Sequence, residues 1–168
     1  MSAGANSPVD PVAAVKRQLA REVLRSSGSL RFVATGLSML PAIRPGDTLV
    51  VERALHNQIR AGDILVTDQE GKLVGHRVLS IQDRVDGRFF MTQGDASKVV
   101  DRPVPESAVL GRVTHLQRGG ARIAARQLRG IDRGIAGMLR RILPAAIALN
   151  DLRRTLRSPQ ESAVPCRP

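Results

Sequence analysis

Between residues 30 and 118 the apolar residues fall into short runs: Leu30–Val33, Thr48–Glu52, Ile64–Thr67, Leu73–Ile81, Arg88–Thr92 and Val109–Leu116. Turn signals separate them, including Gly-Asp pairs at 46–47, 62–63 and 94–95. Runs this short, bounded by Gly, Pro and Asp, read as strands and not as helices. In each pair the glycine is expected to supply a positive-φ turn and the Asp side chain to bond nearby backbone amides. The spacing predicts a mainly β fold, a compact coiled antiparallel sheet. Its core must be aliphatic, because the chain has no Trp or Tyr and only Phe32, Phe89 and Phe90.

The flanks read differently. Residues 1–29 divide into a small, polar start and a helix. Asp10-Pro11 supplies an N-cap acceptor followed by proline at the first helical position. Val12, Val15, Leu19 and Val23 recur at helical spacing, and Ser26-Ser27-Gly28-Ser29 closes the helix. After Gly119-Gly120 the pattern turns helical again. Arg122, Arg126, Arg129, Arg133 and Arg140 fall within roughly a 60° arc, with Leu128, Ile131, Ile135, Met138, Leu139 and Ile142 opposite. The domain plan is therefore a disordered start plus helix at 1–29, a β-rich domain at 30–118, and a basic amphipathic helical tail with a loose end at 119–168.

Charge follows this plan. Residues 119–168 carry ten Arg against Asp132, Asp151 and Glu161, whereas residues 31–118 carry twelve basic and ten acidic side chains. The tail suits an anionic membrane surface. Docking on a partner or nucleic acid, and packing of its apolar face on the β-domain with the arginines in water, also stay open. Scarce aromatics argue against a nucleic-acid binder that stacks bases. The longest apolar stretch, Ile142–Leu149, has eight residues, and a membrane span needs about 20. Met1–Asp10 shows no hydrophobic signal region, so the expectation is a cytoplasmic protein, peripheral at the membrane surface. A lone cysteine, Cys166, forms no intrachain disulfide and no cysteine zinc site, and no metal or cofactor is expected.

Three segments inside the β region carry chemistry. Gly36-Leu37-Ser38-Met39-Leu40-Pro41 puts a serine on a turn bounded by glycine and proline. Val74-Gly75-His76-Arg77-Val78 follows, then Gly94-Asp95-Ala96-Ser97-Lys98-Val99-Val100-Asp101. A serine hydroxyl needs a base within hydrogen-bond reach, an imidazole is largely neutral near pH 7, and a carboxylate can fix its tautomer. The same residues have plainer readings: Ser38 as a turn hydroxyl, His76 as a sheet-surface histidine, and Asp101 as a turn carboxylate paired with Arg102. His56 and His115 match no motif and read as loop and strand residues.

The order and wording of these motifs resemble the signal peptidase I / LexA-like superfamily of serine peptidases. With histidine where most bacterial members have lysine, the chain is most similar to the archaeal and endoplasmic-reticulum signal peptidase branch. The resemblance covers about residues 31–118. It implies Ser38 as nucleophile, His76 as base and Asp101 as orienter, with Asp95 a second candidate. It implies a turn and oxyanion region at Gly36 and Met39, with the Ser38 amide as donor and no side-chain donor at Gly36. The implied substrate is an extended leader or signal-type peptide, or a preprotein, taken up by strand addition. Two other readings stay open: a LexA-like regulator that cleaves itself, and a non-catalytic peptide-binding module.

Overall fold

The structure is a computed structural model that describes residues 11–69 and 72–130. Helix α1 (Pro11–Ser27) leads into β1 (Ser29–Val33), β2 (Thr48–Glu52), a 3-10 turn (His56–Gln58), β3 (Ile64–Gln69), β4 (Lys72–Arg84) and β5 (Gly87–Gln93). Then come β6 (Val104–Pro105), a second 3-10 turn (Glu106–Ala108), β7 (Val109–Arg118), β8 (Ala121–Ala124) and a 3-10 helix (Ala125–Gly130). Among the described residues the strands form one sheet of order β1-β2-β7-β3-β4-β5-β6, with β8 beside β7. Every pairing is antiparallel. The fold is mainly β with an N-terminal helix, as the short apolar runs require.

The sheet coils over two cores that are aliphatic except for Phe90, fully buried in the second, and Phe32, packed against the first. One gathers Leu49, Val51, Ile64, Val66, Val113 and Leu116 with Ala20 and Leu24 of α1. The other gathers Ile59, Leu65, Val78, Phe90 and Val104. Side chains alternate along a strand, so β3 sends Ile64 and Val66 into the first core and Leu65 into the second. Each such side chain contributes about 1.5–3 kcal/mol when fully buried.

Three expectations need correction. The stripe Val12, Val15, Leu19 and Val23 is not the face α1 buries: Val15 and Leu19 are 65% and 61% exposed, while Ala20 and Leu24 are buried. The helix is rolled by roughly a third of a turn. Small Ala20 lets it approach the sheet, and Arg17 and Arg21 reach Asp68 on β3 at 3.6 and 3.3 Å.

The second correction concerns residues 119–124. Gly119 and Gly120 take positive φ (54° and 82°) and turn the chain back, so that His115–Arg118 pairs with Ala121–Ala124. Cross-strand hydrogen bonds override the helical spacing of the arginines there, and the sheet runs past 118. The remainder of the expected tail, from residue 131, lies outside the described residues, as do the expected polar start and N-cap at residues 1–10.

The third concerns the Gly-Asp pairs. Gly46 and Gly62 take positive φ (93° and 89°), and Asp47 and Asp63 accept the Arg44 and Arg60 amides at 2.7 and 2.9 Å. Gly94 is not among the positive-φ glycines. Its reason for being glycine is a close approach, described next.

Candidate active site

The serine lies on an excursion from the sheet, residues 34–47, between β1 and β2. Its ends are tied together: the Ala34 amide donates to the Asp47 carbonyl at 2.8 Å and the Gly46 amide to the Ala34 carbonyl at 2.8 Å. Inside it, Met39, Ala42 and Ile43 are buried in the first core. Met39 thus anchors the turn from below and does not line an open cleft, while Gly36 is exposed beside Ser38. Asp47, almost fully buried, receives Arg118 at 2.8 and 2.6 Å, and Arg118 also donates to the Ala42 carbonyl. Burial works to raise the Asp47 pKa, but the Arg118 guanidinium and the Arg44 amide together hold it below its ordinary value.

The histidine comes from the sheet. On β4, His76 stands opposite Leu65, and Arg77 opposite Ile64. Cross-strand partners share a face, so His76 lies on the side of the second core and Arg77 on the side of the first. The carboxylate comes from the loop after β5, where the Asp101 amide donates to the Thr92 carbonyl at 2.9 Å.

These elements bring Ser38, His76 and Asp101 into one row. His76 Nε2 is 3.0 Å from Ser38 Oγ, and His76 Nδ1 is 2.6 Å from Asp101 Oδ2. An ionised carboxylate only accepts hydrogen bonds, so the proton of the neutral ring sits on Nδ1 and Nε2 is free to accept from the serine hydroxyl. Both side chains of the His76–Asp101 pair are mostly buried, at 12% and 14% exposure, which strengthens their hydrogen bond.

The second candidate carboxylate, Asp95, is placed elsewhere. Arg77 grips it through two parallel hydrogen bonds of 2.7 Å, the strong bidentate arrangement of guanidinium and carboxylate. His115 is a buried β7 residue whose Nδ1 accepts from Arg122 at 3.3 Å. Burial first, and then the Arg122 charge, push its pKa below the ordinary 6.5.

Sequence reasoning missed two contributors. Thr92, fully buried on β5, donates its hydroxyl to Asp101 Oδ2 at 2.6 Å. It was legible only as a polar residue in an apolar strand, two positions before Gly94. In sequence, Gly94 reads as a turn residue. A Cβ there would lie 2.6 Å from the Ser38 carbonyl oxygen, 2.9 Å from Ser38 Cβ and 3.1 Å from His76 Nε2. The neighbouring Ala96 amide donates to the Ser38 carbonyl at 2.8 Å. The 94–96 backbone therefore braces the serine against the histidine.

Among the described residues no group of three or more His, Cys, Asp or Glu side chains is arranged to hold a metal, and no helix is long and apolar enough to cross a membrane. A cleft of about 320 Å³ opens between Asp63, Arg112–Thr114 and Ala124–Arg126. It includes none of Ser38, His76 and Asp101.

Comparison with known proteins agrees with the motif order. Signal peptidase complex catalytic subunit SEC11C of Homo sapiens, and likewise of Mus musculus and Canis lupus familiaris, is 37% identical to this chain over 83 residues. That match covers 48% of this chain and 43% of each relative. The chain thus spans less than half the length of these relatives, and it falls on the endoplasmic-reticulum branch of the signal peptidase I / LexA-like superfamily. The model of one family, described as Peptidase S24-like, matches residues 1–113 of the 168. The protein belongs to the Peptidase S24-like family.

Proposed function

We propose that this protein is a signal-peptidase-like serine endopeptidase with Ser38 as nucleophile, His76 as general base and then acid, and Asp101 as the group that orients and stabilises the imidazole. The observation that supports this most is the unbroken row Ser38 Oγ, His76 Nε2, His76 Nδ1, Asp101 Oδ2, at 3.0 and 2.6 Å. In this reading Ser38 Oγ attacks the scissile carbonyl while its proton passes to His76 Nε2. The Ser38 amide donates to the resulting oxyanion. His76 then returns the proton to the leaving amine as the C–N bond breaks, and water, activated the same way, hydrolyses the acyl-enzyme.

The substrate in this reading is an extended leader or signal-type peptide, or a preprotein. The domain begins at about residue 30 and runs through β8 into the 3-10 helix Ala125–Gly130, ahead of the rest of the Arg-rich stretch, and works on the cytoplasmic side. That Arg-rich stretch holds it against an anionic membrane surface.

The test is incubation of wild type and Ser38→Ala with leader-like peptides, read by mass spectrometry. Peptide cleavage by wild type alone is the expected result. A wild type that only shortens itself on standing, beside a Ser38→Ala of unchanged mass, would assign it to self-cleavage. No cleavage of any kind by folded wild type would leave a peptide-binding module.

A further inference from the structure

The serine and the histidine belong to different cores. The Ser38 turn rests on Met39, Ala42 and Ile43 in the first. The His76 strand rests on Val78 in the second. Something must hold these halves in register, because a displacement of about 1 Å can cost about 100-fold in rate. The 94–96 backbone does so from one side. A second tie comes from Leu128, in the 3-10 helix Ala125–Gly130, beyond the 1–113 stretch that matches the family.

Leu128 is tied to both halves. Its side chain is buried (3% exposed) in the same core as Met39, Ala42 and Ile43. Its carbonyl accepts from Arg77, the residue after His76, at 3.3 Å. Arg77 in turn grips Asp95 and donates to the Gly62 carbonyl at 3.0 Å. Asp95 lies between Gly94 and Ala96, the two residues that press on Ser38. The Arg77 guanidinium thus spends its donors on three points: the loop against the serine, the entry to β3, and Leu128. With its side chain 14% exposed, Arg77 has little freedom to settle elsewhere if one of them is withdrawn.

We infer that Leu128 is a positioning residue for the Ser38–His76 pair: its side chain seats the 3-10 helix in the serine's core, and its carbonyl sets the Arg77–Asp95 clamp. This rests on the proposed roles of Ser38 and His76, yet the hydrogen bond between them can be followed without any catalysis. The ¹⁵N resonance of His76 Nε2 reports it, and Ser38→Ala gives the value with the bond removed.

The experiment compares full-length Leu128→Ala, Leu128→Met and Leu116→Ala. Leu116 is buried in the same core on β7 and serves as a control for general loosening. The expected result is that Leu128→Ala shifts the His76 Nε2 resonance toward the Ser38→Ala value and slows fluorophosphonate labelling of Ser38 about tenfold. Leu128→Met, close in volume, restores both. Leu116→Ala, with an equal or larger loss of melting temperature, leaves the resonance in place. If folded Leu128→Ala keeps the wild-type Nε2 resonance, or if Leu116→Ala shifts it equally, the inference is overturned. A wild type that no probe labels would refute the proposed chemistry instead, and the resonance would still decide the role of Leu128.

Discussion

Asp101 takes two short hydrogen bonds on one oxygen, from His76 Nδ1 and from Thr92 Oγ1. The first orients the imidazole and the second keeps the carboxylate from turning away. Asp101→Asn would present the ring with the wrong partner, and kcat/KM for peptide cleavage should fall about 10⁴-fold. Thr92→Val keeps the shape and removes one donor. A loss of about tenfold with a near-native melting temperature is expected, since a hydrogen bond to a charged group is worth about 1.5–3 kcal/mol and repacking recovers part of it. Gly94 offers a sharper contrast. Gly94→Ala places a methyl against the Ser38 carbonyl and should lower kcat at least about 100-fold. Gly75→Ala, where a Cβ meets nothing within 4 Å, should leave kcat unchanged. Ser38, His76 and Asp101 were legible because their chemistry is carried by residue type and order. Thr92 and Gly94 were not, because the role of Thr92 depends on which side chain reaches the Asp101 carboxylate and that of Gly94 on which backbone passes within 3 Å of the serine.

Among the elements, the excursion 34–47 depends most on a single interaction. Buried Asp47 holds the amide of Arg44 and the guanidinium of Arg118, pinning both the excursion and β7. Arg118→Ala would leave that carboxylate buried with its strongest partner gone. Urea unfolding should show a loss of about 3 kcal/mol. Arg25→Ala removes an exposed pair with Glu22 at the end of α1 and should change stability by less than about 0.5 kcal/mol. Strands β1, β2, β3, β4, β5 and β7 could be read from short apolar runs because burial on the sheet imposes that pattern directly. Strand β6, two residues with a proline, carries no periodicity to read. The sequence of β8 carries a misleading one, since Arg122 and Arg126 are four apart whether or not a helix forms. The buried face of α1 was misjudged because Ala20 wins its place by being small and Arg17 by pairing with Asp68, neither of which hydrophobic spacing registers.

For the whole molecule, the titrating groups predict how stability depends on pH. The folded pKa of His115 lies below 6.5, so the unfolded chain binds a proton there that the native state resists. Stability from neutral His115 is complete above pH 6.5 and declines as pH falls below it. Asp47 acts in the same sense lower down: its contribution is present above pH 3.8 and is lost as pH drops through its depressed folded value. Urea midpoints should therefore decline in two stages on acidification, with His115→Gln removing the upper stage and Asp47→Asn the lower. An upper stage unchanged in His115→Gln would contradict the assignment.

The organisation behind these effects is a serine turn seated on one apolar core and a histidine carried on the face of another, joined by the 94–96 backbone. Mass-spectrometric mapping of a fluorophosphonate adduct tests its central claim most directly. A single adduct on Ser38 is predicted, absent in Ser38→Ala and strongly reduced in His76→Ala. Equal labelling of Ser38 in His76→Ala, or no adduct on folded wild type, would contradict a serine activated by that histidine.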